Sequence, residues 1–184
     1  MLIGLTSKTP GCGKSTVASY LMHKHNFTLV KFATVLKTMA MDFVIGAGVD
    51  PSRAWGYIYG DAKEEVIPEL GVTGRYIQQT LGTEWGRKHI DPDIWLKLAR
   101  RAIDCHMEAG RDIVIDDMRF RNEAFEVLAA GGVHWRIRRS LVEGIPLEKH
   151  ESEGQIDHLK MIEIWNDGTL SDLYVEVNFA LGYV

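Results

Sequence analysis

The apolar run Leu2-Ile3-Gly4-Leu5 passes through Thr6 into Ser7-Lys8-Thr9-Pro10-Gly11-Cys12-Gly13-Lys14-Ser15-Thr16, and from there into Val17-Ala18-Ser19-Tyr20-Leu21. A short strand, a turn with two glycines and a helix start follow one another directly. This order restricts the fold, because the N–H groups of such a turn converge at a helix N-terminus, where the macrodipole favours negative charge. Gly11 and Gly13 let backbone approach an anion closely. Lys14 can reach the β- and γ-phosphates of a nucleotide, and the Ser15 hydroxyl can hold Mg²⁺. Gly11, Cys12, Gly13, Lys14, Ser15 and Thr16 are therefore the expected phosphate-binding residues, with Ser15 the expected metal ligand. In the phosphate-loop pattern G-x-x-x-x-G-K-[ST] the first glycine falls at position 8, which here is Lys8.

A chain of 184 residues suits one domain, or one domain with an inserted flap. Its 46% hydrophobic and 25% charged residues are those of a soluble globular protein. A net charge of −4 offers no general attraction for nucleic acid or an anionic membrane, and leaves small anions such as nucleotides open. No apolar run approaches the ~20 residues of a membrane span, and the phosphate loop comes too early to follow a signal peptide, so the cytoplasm is the expected compartment. Cys12 in the loop and Cys105 in an expected helix make no disulfide framework. Cys12 reads as a small loop filler rather than a nucleophile. The oligomeric state is left open, a homodimer among the alternatives.

Strands are expected at about 2–5, 28–32, 113–117, 133–138 and 160–165. Helices are expected after the loop, over 33–44, over 75–81 ending at Gly82, over 94–109 behind Asp93, over 121–130, and after Thr169-x-x-Asp172, which resembles a capping box. The stretch 46–61, rich in Gly and aromatic residues, reads as a loop with a short helical piece. Alternating strands and helices imply a parallel sheet covered on both faces, with ligands gathering at the carboxyl ends of its strands. The phosphate loop and Asp116-Asp117 both lie at such ends.

Phosphoryl transfer asks for positioning and for charge neutralisation. Asp116 or Asp117 is placed to orient Mg²⁺-bound water or an acceptor group. Arg75, Arg87, Arg119, Arg121, Arg136, Arg138 and Arg139 fall near element ends or loops, and arginine suits phosphate through its planar fork. Arg119 sits at the tip of the strand that carries Asp117. Arg138-Arg139 precedes a polar segment suited to a lid. Lys37 is placed to reach an acceptor or simply forms a polar helix face. Between Gly71 and Trp95, a base can stack on Trp85 or Trp95 while Gln79 or Asp93 reads its edge, though Trp95 reads equally as core. The histidines, His150 and His158 among them, lack a metal-site spacing, and Mg²⁺ prefers oxygen ligands.

Taken together, these residues resemble the phage-type deoxynucleoside monophosphate kinases, within the P-loop nucleoside-monophosphate-kinase group. The resemblance covers nearly the whole chain. It rests on Gly13-Lys14-Ser15, Lys37, the run from Arg75 to Glu84, Asp93-x-Trp95, Asp117-x-Arg119 with Glu123, Gly132 leading to Arg139, His150-x-Ser152-Glu153, and Asn166 to Leu170. It implies a three-layer α/β/α P-loop NTPase fold with a five-stranded parallel sheet, spanning 1–184 as one domain. A helical acceptor-binding insertion (about 37–95) and a lid (about 139–158) belong to that fold. It also implies transfer of the ATP γ-phosphoryl group to a deoxynucleoside 5′-monophosphate, as in deoxynucleotide biosynthesis. Lys37, Arg75, Gln79, Trp95, Asp117 and Arg119 would lie around the acceptor, and Arg139 and His150 on the lid side. The catalytic set is then Lys14, Asp117, Arg119 and Arg139. Two departures stand out: Lys8 replaces a glycine, and the stretch from Lys37 to Arg75 is short compared with larger relatives. Alternatives are a P-loop kinase for another small molecule, such as dephospho-coenzyme A or a sugar, and a nucleotide-binding adaptor without catalysis. No Asn-Lys-x-Asp guanine-reading motif is present.

Overall fold

The computed structural model describes residues 1–142 and 155–182. Strand β1 (Leu2–Thr6) is followed by α1 (Lys14–His25), β2 (Thr28–Val30), α2 (Thr34–Gly46) and α3 (Pro51–Ile58). Next come the short antiparallel pair β3 (Val66–Ile67) and β4 (Val72–Thr73), then α4 (Gly74–Gln79), a π-helical stretch Thr80–Ile90, and α5 (Ile94–Glu108). Beyond these lie β5 (Ile113–Ile115), α6 (Arg121–Ala129), β6 (Val133–Arg138), β7 (Ile162–Trp165) and α7 (Leu170–Leu181). The chain divides into two compact units, Met1–Lys31 with Arg100–Val184, and Phe32–Ala99.

In the first unit β1, β2, β5, β6 and β7 form one parallel sheet in the order β2-β5-β1-β6-β7. All five expected strands are present, β2, β5 and β7 each shorter than their apolar runs suggested. β1 and β5 are buried along their whole length, as strands covered on both faces must be. Side chains alternate between those faces. Ile3, Leu5, Val114, Trp135 and Ile137 pack with Val17, Ala18 and Leu21 of α1 and with Leu173 and Val177 of α7. Gly4, between Ile3 and Leu5, turns to the opposite face, where a Cβ would come within 2.8 Å of the Met118 sulfur and 3.4 Å of Val127 on α6. His134, in register with Gly4, faces the same way and its Nε2 bonds the Ala124 carbonyl at 2.8 Å. The capping box before α7 forms as expected: the Thr169 hydroxyl accepts from the Asp172 N–H, and the Asp172 carboxylate accepts from the Thr169 N–H at 2.8 Å.

The second unit has its own core of Ala40, Val44, Val49, Ala54, Tyr57, Ile58, Ile67 and Ile77. The short helical piece expected within 46–61 is α3, residues 51–58. Its start is capped by Asp50, which accepts from the Ser52 N–H at 2.9 Å, and Pro51 occupies a first-turn position where no N–H is needed. α4 begins on Gly74, where a Cβ would sit 2.0 Å from the Tyr57 carbonyl oxygen, so the two backbones meet directly. Gly82 does not end this helix; the chain continues through it as the π-helical stretch. Trp95, 4% exposed, packs on this stretch. Its indole N–H donates to the Gly82 carbonyl at 2.8 Å, and its ring lies 2.4 Å from where a Cβ on Gly86 would be, so Gly86 makes room for it.

Burial holds the His134 imidazole below its usual value, with the Ala124 hydrogen bond opposing the shift. The unfolded chain therefore takes up a proton that the folded chain does not. Stability is full above about pH 6.5 and is lost as pH falls toward the folded value. The melting temperature should fall over that window, and His134→Gln, which keeps a donor for Ala124 without titrating, should flatten the slope.

Candidate active site

Because the five strands are parallel, their carboxyl ends lie along one edge of the sheet. The residues leaving that edge are Ser7 after β1, Asp116 after β5, Arg139 after β6 and Asn166 after β7. β5 and β6 flank β1, which puts the acidic and basic exits on either side of the phosphate loop.

The loop turns through two left-handed glycines, Gly11 at φ 78° and Gly13 at φ 102°. Gly13 caps α1 without a side chain, and the first turn of α1 holds no acidic residue, so its N–H groups are not neutralised locally. Inside the loop the Lys14 ammonium donates to the Ser7 hydroxyl, which donates to the Thr9 carbonyl at 2.8 Å. Cys12 is 1% exposed, its sulfur 3.1 Å from the Thr9 hydroxyl and its side chain within the sheet core. Its position is that of a filler under the loop. Ser15 is exposed at the start of α1, and Lys8 is exposed on the loop.

The acidic pair after β5 is unequal. Asp116 is 7% exposed; its Oδ2 accepts from Lys31 at 3.0 Å, while its Oδ1 is buried without a hydrogen-bond partner. Asp117 is half-buried. Beyond Met118, the backbone N–H groups of Arg119 and Phe120 both donate to the buried carboxylate of Glu123, at 2.8 and 3.0 Å. That clasp fixes the turn carrying Asp117 and Arg119 and caps α6. The Arg119 residue itself is exposed.

The late arginines divide by role. Arg136 is 5% exposed and donates to the carbonyls of Ile156 at 3.1 Å and Asp157 at 2.9 Å, so it holds the chain returning toward β7. Arg138 lies over the Trp165 ring at 4.2 Å and donates to Glu163 at 3.0 Å. Arg139 is half-buried between two tethered neighbours. The Arg138 carbonyl accepts from the Asn166 N–H at 2.8 Å, and Ser140 donates its N–H and hydroxyl to Asp167 at 2.7 and 2.6 Å. Those two Ser140 hydrogen bonds hold the Asp167 carboxyl below its usual range, with a smaller effect from Arg139 and Arg138. His150 and most of the expected lid lie outside the described residues.

The remaining expected residues belong to the second unit. Lys37 is half-buried, its ammonium 5.4 Å from the centre of the Tyr59 ring. Arg75 donates to Glu64, and Arg87 to the Pro92 carbonyl at 2.8 Å. Gln79 is half-buried, whereas its neighbour Gln78 is tied to the Ile58 carbonyl at 3.1 Å. Trp85 is exposed, Trp95 is packed against Gly86, and the Asp93 N–H donates to the Asp91 carboxylate at 2.7 Å. The structure adds Asn166, Asp167, Glu123 and Lys31 as residues that shape the first unit's edge. The sequence offered Asn166 to Leu170 and Glu123 as part of the family resemblance, without a role for either.

No family model matches the chain. A curated protein of Acanthamoeba polyphaga mimivirus, named "Putative deoxynucleotide monophosphate kinase", is 28% identical over 192 aligned positions, covering 96% of this chain and 94% of the relative. Among solved structures, the crystal structure of TT1252 from Thermus thermophilus aligns with a TM-score of 0.51 over 100% of this chain and 97% of that one, at 16% identity. This second likeness concerns the fold. Together with the five-stranded parallel sheet and the glycine-rich loop after β1, it agrees with the α/β fold expected from the sequence. No helix among the described residues is long and apolar enough to cross a membrane.

A buried polar atom left without a partner costs about 1–3 kcal/mol, and the Asp116 oxygen shares that condition with Trp135 Nε1 and Arg136 Nε among the described residues. Asp116→Asn should therefore leave the urea unfolding midpoint unchanged or raise it, even though it weakens the Lys31 contact. A marked drop in that midpoint would show that Asp116 serves the fold.

Proposed function

We infer that this protein is a phosphotransferase that moves the γ-phosphoryl group of ATP to a deoxynucleoside 5′-monophosphate, yielding the diphosphate and ADP. The observation that carries this reading is the phosphate loop flanked, at the end of the adjacent strand, by a buried carboxylate oxygen with no protein partner. The name of the mimivirus relative supports the acceptor class.

The residues present fit Mg²⁺. That ion takes oxygen ligands and retains several waters, so it needs few protein groups. The exposed Ser15 hydroxyl and the unpartnered Asp116 Oδ1 are of that kind, and no cluster of three or more His, Cys, Asp or Glu forms a closed metal cage among the described residues. Negative charge on the phosphate oxygens is neutralised by the ion when bound.

The chain's own groups do the rest. The N–H groups around Gly11 to Ser15 hold the donor phosphates, and Lys14 exchanges its Ser7 contact for a phosphate oxygen. Arg139 adds a charge-assisted donor as the transition state spreads charge over the transferred group. Asp117 and Arg119 serve the acceptor; the family resemblance implies the same of Lys37, Arg75, Gln79 and Trp95, and puts Arg139 and His150 on the lid side. Transfer is direct and in line, without a covalent enzyme intermediate.

A panel of all deoxy- and ribonucleoside monophosphates in a coupled ADP-release assay tests this reading. At least one deoxynucleoside monophosphate should drive ATP-dependent ADP release, and Lys14→Ala should lower that turnover by roughly 10²–10³-fold, the usual effect of removing a transition-state donor. Purified protein that binds ATP yet turns over none of the panel would contradict it.

A further inference from the structure

Two consecutive residues at the end of β7 hold both sides of the donor edge. The Asn166 side-chain amide donates from Nδ2 to the Cys12 carbonyl at 2.9 Å, while its backbone N–H donates to the Arg138 carbonyl at 2.8 Å. Asp167 then takes the Ser140 N–H and hydroxyl. Cys12 lies within the phosphate loop, and Arg139 lies between Arg138 and Ser140.

The Cys12 contact has a specific electrostatic consequence. A phosphate loop works only if its peptide N–H groups point inward, so the carbonyls of the same peptides must point out. The Cys12–Gly13 peptide is prone to turn over, because Gly13 has no Cβ and already sits at φ 102°. A donor placed on the outer side of the Cys12 carbonyl opposes that rotation. The fit is close: a Cβ on Gly13 would lie 2.5 Å from Asn166 Nδ2, so the second loop glycine is needed for the amide to reach its acceptor.

We propose that Asn166 and Asp167 are positioning residues, Asn166 setting the orientation of the Cys12–Gly13 peptide and Asp167 fixing the backbone that presents Arg139. They join the donor-phosphate loop to the arginine segment through one turn. The proposal rests on the kinase reading for the meaning of Arg139. Its first half concerns ATP binding alone and needs no acceptor.

Calorimetric titration of the full chain with ATP and Mg²⁺ tests the first half. Asn166→Asp preserves size and removes the donor, and Asn166→Ala removes the contact altogether. Both should raise the ATP Kd by about 10-fold, the effect of one lost hydrogen bond that leaves a carbonyl free to turn. In Asp167→Ala the loop contact persists, so the ATP Kd should stay within about twofold while kcat on the best monophosphate falls by about 10-fold. A merely structural role reverses this pattern, lowering the melting temperature without changing the Kd of the folded fraction. Folded Asn166→Asp that binds ATP as the wild type does would overturn the role of Asn166, and an unchanged kcat in Asp167→Ala would overturn that of Asp167. A wild type that binds ATP but phosphorylates no monophosphate removes the kinase reading and with it the Arg139 arm, leaving the Kd comparison to decide Asn166. A wild type that binds no ATP overturns both.

Discussion

Five strands paired in parallel must all end on the same edge of the sheet, and that requirement organises the first unit. Parallel neighbours cannot be joined by tight hairpins, so each strand's exit leads into a separate loop or helix. Here the exits are a phosphate loop, an acidic turn, an arginine pair and an Asn-Asp turn, side by side. Each is fixed by a clasp from another part of the unit: Asn166 on the loop, Lys31 on Asp116, Glu123 on the turn before α6, and Asp167 on Ser140. The edge is therefore rigid through hydrogen bonds, while hydrophobic burial of the sheet holds the edge in place.

The local interactions are balanced unevenly, and the imbalance falls where anion and metal chemistry would use it. The first turn of α1 lacks an acid, Gly13 brings no capping side chain, and Asp116 keeps one buried oxygen without a partner. In a fold optimised for stability alone, each of these would be corrected by a routine substitution. Arg136 and Glu123 are buried charged residues whose main work is to hold backbone, and each makes several hydrogen bonds, although Arg136 Nε is, like Asp116 Oδ1, buried without a partner.

The sheet was legible from sequence because its strands are short apolar runs separated by helical periodicity and by glycines, and each appears close to where that pattern placed it. The helix α3 was legible only as a short helical piece somewhere in 46–61, because Gly and aromatic residues there hid its bounds. Its start was nonetheless written in Asp50-Pro51, an N-cap followed by a first-turn proline. Gly82 suggested a helix end because the sequence alone does not show Trp95 packing there, with its indole bonded to the Gly82 carbonyl. Within the site, the loop residues were readable because they are contiguous. The choice between Asp116 and Asp117 was not, since it depends on which one Lys31 and the neighbouring strands enclose. Asn166 to Leu170 stood out as a motif, but the contact of Asn166 did not: its partner lies 154 residues away, and no local pattern reveals a contact of that span.

The central claim is that the protein moves a phosphoryl group between nucleotides rather than only binding or hydrolysing one. Incubation with γ-labelled ATP, Mg²⁺ and a mixture of deoxynucleoside monophosphates, followed by chromatographic separation, tests this most directly. The account expects the label to appear in a deoxynucleoside diphosphate, in step with ADP formation. Label that stays in ATP, or that appears only as inorganic phosphate, would contradict it.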